Sequence, residues 1–250
     1  MKVGGLEWER AGGPPLTFGQ KLSVLGGAAV VITRHYGAKL GWWVGGSTPA
    51  PKIDLSKWEP PDSSIAKEAE AYLREVSSPE MINHSLRTYW FSAVMYELGG
   101  SPAGLDKETL FVAAAMHDAF MSDRECAAGD GCFTVSCARE ARRLAKNAGW
   151  EESRADRAAL AITTNLNSFV SAEEFGQEAH FMRLGGGVDI LAEGWKLHPD
   201  NLAEILARFP RTGFGENADK YIQKEARQHP GGRFACLNPL FPLMMKRAEF

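Results

Sequence analysis

Apolar side chains in this sequence recur at helical spacing, and no stretch alternates apolar and polar with a period of two over six residues. Ile65, Ala69, Tyr72, Leu73 and Val76 form one inward stripe behind Asp62 or Ser63, either of which caps a helix well. Ser78-Pro79 opens a second helix with proline at its first position, expected to run to Tyr96 or Leu98 and stop at Gly99-Gly100. Asp106 caps a third, from Lys107 to about Phe120. A fourth runs from about Thr134 to Ala148 and ends at Gly149. A fifth covers about 152–165, a sixth about 177–193, and two more lie within 199–208 and 215–228. The predicted fold class is all-α.

Residues 1–60 break this pattern. They are rich in Gly, Pro and Trp, and Glu59-Pro60-Pro61-Asp62 interrupts any element before the helical text begins. The expectation is an N-terminal arm over 1–60 that holds one short helix and packs through its tryptophans on a helical domain over 61–250. With 250 residues, 44% of them hydrophobic, the chain is large enough for one sizeable core. The apolar run from Leu22 to Thr33 is roughly half the length a bilayer crossing needs. It also lacks the basic start and cleavage site of a secretory leader.

Charge narrows the partners. With 28 basic and 31 acidic residues the net charge is −3, which gives no footprint for nucleic acid or an anionic membrane. A small-molecule substrate and a possible homo-oligomer remain. The four cysteines form no CxxC pair; Cys126, Cys132 and Cys137 are spaced by six and five, off the usual zinc pattern, and read as reduced thiols of a cytoplasmic protein.

Of six histidines, His117 is the sharpest. Leu110, Ala113, Ala114 and His117 fall at i, i+3, i+4 and i+7, so the imidazole lies on a core-facing stripe with Asp118 beside it. A buried imidazole next to a buried carboxylate is paired or holds a cation. His-Asp alone is a common dipeptide and is most often a hydrogen-bonded core pair. His84, one helix earlier, and Asp189, set among Val188, Ile190 and Leu191 behind Gly185-Gly186-Gly187, change that balance. Three glycines let another helix or a ligand approach closely. His180 lies nine residues before Asp189 and faces the other way on a continuous helix. His35 reads as a surface or arm contact, His198 as a helix start and His229 as a helix-ending turn. Arg87, three residues after His84, is either an anion or carbonyl binder or a surface ion-pair partner. Phe120, Phe133 and Cys132 are candidates for a pocket wall, with core packing as the plainer role.

The order His…His-Asp…Asp on successive helices resembles the HD metal-dependent superfamily, and within it the cyanamide-hydratase-like branch. The resemblance runs from about Asp62 to Phe250. It is carried by Asn83-His84-Ser85-Leu86-Arg87-Thr88-Tyr89, Ala115-Met116-His117-Asp118, Cys132-Phe133-Thr134-Val135 with Ala138-Arg139, Glu178-Ala179-His180 and Gly186-Gly187-Val188-Asp189. It implies a helical bundle around one divalent transition metal, Zn²⁺ first and Fe²⁺ or Mn²⁺ next, held by His84, His117, Asp118 and Asp189. It also implies addition of water to a small C≡N group. By their own chemistry Asp118, with one oxygen left free, can accept the water proton, and Asn165 and Arg87 can hydrogen-bond the substrate. Two departures stand out. HD phosphohydrolases commonly carry a lysine where this chain has Met121, which favours a weakly charged substrate, and Arg124 is the nearest basic residue after Asp118. Asn165 stands where the hydratase-like branch usually has a histidine, and Asn cannot shuttle protons near pH 7. A nucleotide or phosphomonoester hydrolase is therefore the second reading, and a metal-binding protein without activity the third.

Overall fold

The computed structural model describes residues 1–45, 48, 50–123, 130–241 and 244, and among them every regular element is helical. The helices are α1 (Leu6–Arg10), α2 (Phe18–Gly45), α3 (Ser64–Val76), α4 (Pro79–Leu98), α5 (Lys107–Met116), α6 (Phe133–Asn147), α7 (Glu152–Thr164), α8 (Ala172–Phe175), α9 (Gln177–Ile190), α10 (Pro199–Arg208), α11 (Phe214–Gln228) and α12 (Arg233–Leu237). Two 3₁₀ turns, Leu55–Trp58 and Gly194–Lys196, complete the set. Local chemistry sets many of the boundaries. The Ser63 hydroxyl accepts from the Ala66 amide, and the Asp106 carboxylate accepts from Glu108 and Thr109. Gly149, at φ +75°, turns the chain out of α6 in the left-handed region.

The core is built around α5. Leu110 to Met116 are all buried, so this helix is apolar on every side and not only along the expected stripe. It packs against α3, α4, α6, α7 and α9. It also ends earlier than its spacing predicts, at Met116; His117 to Phe120 form tight turns closed by Ala119 N–H to Met116 O and Met121 N–H to Asp118 O. α4 and α9 make the most extensive helix pairing among the described residues. A Cβ on Gly185 would lie 2.3 Å from Ser92 Oγ and 2.6 Å from Thr88 O, so only glycine lets these backbones meet.

The arm departs from expectation. In place of one short helix it holds α1 and the 28-residue α2, since no proline falls between Pro15 and Pro49 and its glycines weaken a helix without breaking it. Trp8 and Trp58 are buried, whereas Trp42 and Trp43 are exposed. Trp8 lies under the Arg233 guanidinium at 4.7 Å, Glu9 accepts from Arg142 at 2.7 Å, and Gly131 N–H donates to Gly12 O at 2.8 Å. His35 is buried against Glu193 at 2.9 Å, not exposed on the surface.

Candidate metal centre

His84 sits in the second turn of α4, His117 caps the C-terminal end of α5, and Asp118 follows in the turn. One ligand atom from each lies within 4.8 Å of the others. Asp118 Oδ2 is 3.3 Å from His117 Nε2 and 3.4 Å from His84 Nε2. Both separations exceed the roughly 2.7–2.9 Å of a charge-assisted hydrogen bond. His117 Nδ1 lies 2.7 Å from Ala114 O, and only a protonated Nδ1 donates to a carbonyl. In the neutral ring Nε2 then carries a lone pair, and this atom is buried without a hydrogen-bond partner. A convergence of two imidazole nitrogens and a carboxylate on one point, with a stranded lone pair among them, fits a borderline divalent cation.

Asp189 stands behind His84 and outside this convergence. Its Oδ2 lies 2.6 Å from His84 Nδ1. Arg87 Nε and Nη2 donate to its two oxygens at 2.9 and 2.8 Å, and Arg211 Nε adds a contact at 3.3 Å. Arg87 is fully buried, so it makes no surface ion pair; its remaining donor, Nη1, reaches Pro210 O at 2.8 Å. His84 is held from the side by Phe214, stacked at 4.4 Å. Nothing in the sequence singles out Arg211, in the loop before α11, or Phe214, its first residue, because no motif connects this segment with the His-Asp pair.

The electrostatics follow from this packing. Burial pulls the His84 pKa down, but the Asp118 and Asp189 carboxylates outweigh it and hold the imidazole above its ordinary value. Burial pushes Asp118 up, and His117 and His84 more than reverse this, leaving it well below the usual carboxylate range. Asp189 is likewise raised by burial and brought far lower by Arg87 and His84. Asp118 alone of the three converging residues keeps some exposure, at 9% against 1% for His84 and 0% for His117, so solvent approaches from its side.

Asn165 ends α7, with its Oδ1 3.3 Å from where a Gly186 Cβ would be. It lines a mainly apolar cavity with Leu166, Ile190, Leu191, Leu237 and Phe241. His180 Nδ1 bonds Val170 O, His198 caps α10, and His229 ends α11. Phe133 stacks on Phe234 in the core, and Cys132 is buried against Thr134 Oγ1 and Arg233. Cys132 and Cys236 are free thiols. Met121 is buried, while Arg124 and Cys126 lie outside the described residues. Lys224 of α11 does reach the turn after Asp118, donating to Ser122 O at 3.0 Å.

Compared with known proteins, the chain matches no family model. It is 24% identical over 189 residues to the cyanamide hydratases DDI2 and DDI3 of Saccharomyces cerevisiae, an alignment covering 73% of this chain and 81% of each relative.

Proposed function

We propose that this chain is an HD-type, metal-dependent hydratase that adds water to a small nitrogen-containing substrate of the cyanamide, nitrile or isonitrile kind. The observation that carries this reading is the buried, unpartnered lone pair of His117 Nε2 facing His84 and Asp118. The likeness to the yeast cyanamide hydratases supports the reaction class. His84, His117 and Asp118 hold the ion in this reading, with Zn²⁺ the best match to the donors and Fe²⁺ or Mn²⁺ the alternatives. Such an ion lowers the pKa of water bound to it from about 15.7 to near 7.

The chain's own groups do the rest. Asp189 serves as the carboxylate that fixes the His84 ring and tautomer, in place of the fourth ligand that the family resemblance implies; Arg87 in turn fixes Asp189. Asp118, at the solvent edge, accepts the proton released when water attacks. Met121, buried where a phosphohydrolase would place a lysine, suits an uncharged substrate. The test is a panel of cyanamide, nitriles, isonitriles and phosphomonoesters offered to protein of known metal content. Hydration of a C≡N compound in proportion to bound metal is the expected result. Phosphate release would establish the phosphohydrolase instead, and inertness of fully loaded protein would establish a binding protein.

A further inference from the structure

Eight of the ten large hydrophobic side chains exposed among the described residues belong to α2: Phe18, Leu22, Val30, Tyr36, Leu40, Trp42, Trp43 and Val44. Phe18 and Trp43 are more than three-quarters exposed, and Leu40 is 61% exposed. At about 100° per residue, Phe18, Leu22, Tyr36, Leu40, Trp43 and Val44 fall in one sector roughly 100° wide. Ala28 and His35, the buried positions of α2, lie on the far side. Residues 36–45 are all exposed. Trp42 turns back, to Trp195 at 6.0 Å.

Charge identifies the occupant. No aspartate or glutamate occurs from Ala11 to Ile53, whereas Lys21, Arg34, Lys39 and Lys52 do. On the helical projection Lys21 and Lys39 lie about 40° beyond one edge of the apolar sector, while Arg34 lies about 80° beyond the other and packs over the Phe169 ring at 5.5 Å. A second copy of α2 laid antiparallel on this face would set Lys21 opposite Lys39, like charge against like. An anionic surface satisfies both lysines at once. No helix among the described residues is long and apolar enough to cross a membrane, so α2 would lie along a surface and not through it.

We propose that α2 is a docking face for an anionic lipid surface, with its apolar sector at the acyl boundary, Lys21 and Lys39 at the headgroups, and Trp43 as the interfacial anchor. The whole-chain charge of −3 conceals this local basic stretch, which is why the overall balance had argued against such a partner.

The test is co-sedimentation of the full chain with vesicles of phosphatidylserine and phosphatidylcholine, against phosphatidylcholine alone, with light scattering in parallel. Binding to the anionic vesicles only, weakened by salt, is expected. Leu40→Asp with Trp43→Asp should abolish it at unchanged helical circular dichroism. Lys21→Gln with Lys39→Gln should weaken it roughly twenty- to thirtyfold, from about fivefold per basic residue. Equal binding to both vesicle types would overturn the proposal. So would no binding at all, whether the chain is monomeric or forms a dimer that Leu40→Asp with Trp43→Asp dissociates; the dimer would assign the face to a second copy.

Discussion

At the scale of single residues, His117 does the most with the least freedom. Its Nδ1 proton is committed to Ala114 O, which forces the lone pair of Nε2 towards Asp118 and His84. His117→Ala should therefore strip the metal, read as loss of stoichiometric zinc, iron or manganese in elemental analysis. It should also destabilise the fold by up to about 3–5 kcal/mol in chemical denaturation, since Asp118 loses a partner; its partial exposure places the effect towards the lower end. His84 and the His117-Asp118 pair were legible in the sequence because ligand chemistry and helical phase both point inward. The pairing of Asp189 with Arg87 was not, because nothing local distinguishes a carboxylate that binds a cation from one that binds an arginine 102 residues away. The Asn165 side chain lies beside Gly186 and lines an apolar cavity. We expect Asn165→Ala and Asn165→His to leave turnover per bound metal unchanged; a change of tenfold or more in either would return Asn165 to the reacting centre.

At the scale of elements, helices with side-chain caps were readable to within a residue or two, as at Ser63 and Asp106, because caps are local chemistry. The end of α5 was not, since the turn at His117 serves the tertiary site and departs from helical periodicity. The α4–α9 contact couples fold to chemistry, for it sets Asp189 against His84. Gly185→Ala places a methyl group against Ser92 and the α4 backbone and should cost about 1–3 kcal/mol, with metal affinity falling in step. Gly187→Ala meets only the tip of Arg183 at 2.8 Å, which can swing aside, so its effect should be smaller on both readouts. A comparable fall in both variants would show that close approach at Gly185 is not what holds the pair. Asp106 gives a pH signature. Burial pushes its pKa up, but Arg154 and the Thr109 amide bring it to about 2, from 3.8. A depressed carboxylate stabilises above its unfolded pKa and loses that contribution as pH falls through the folded one. Asp106→Asn keeps a good cap and removes the charge. The variant should be about 1–2 kcal/mol less stable near neutral pH, with the gap closing between about pH 4 and pH 2; a gap constant across that window would refute the assignment.

At the scale of the whole molecule, the arm and the bundle share buried groups. Trp8 covers the fully buried Arg233, whose guanidinium also donates to Thr163 O and Thr134 Oγ1. Glu9 is buried against Arg142, and Trp58 donates to Glu97 while packing edge-on against Tyr89 and Tyr96. Removing residues 1–60 would expose the surfaces that Trp8 and Trp58 cover, at roughly 1.5–3 kcal/mol for each large apolar side chain. It would also leave Arg233 without its aromatic face. The same cut frees the Gly131 amide from Gly12 O, close to the chain that returns from the His-Asp turn into α6. We therefore expect arm and bundle to unfold in one transition, and a chain beginning at residue 61 to be destabilised by several kcal/mol and to release metal more readily. α2 is the exception within the arm, since residues 36–45 touch little. Limited proteolysis should cut first near the C-terminal end of α2, and the nicked pieces should stay associated through Trp8 and Glu9. Recovery of a stable, metal-loaded fragment lacking everything before residue 61 would mean that the arm is an accessory and not part of the fold.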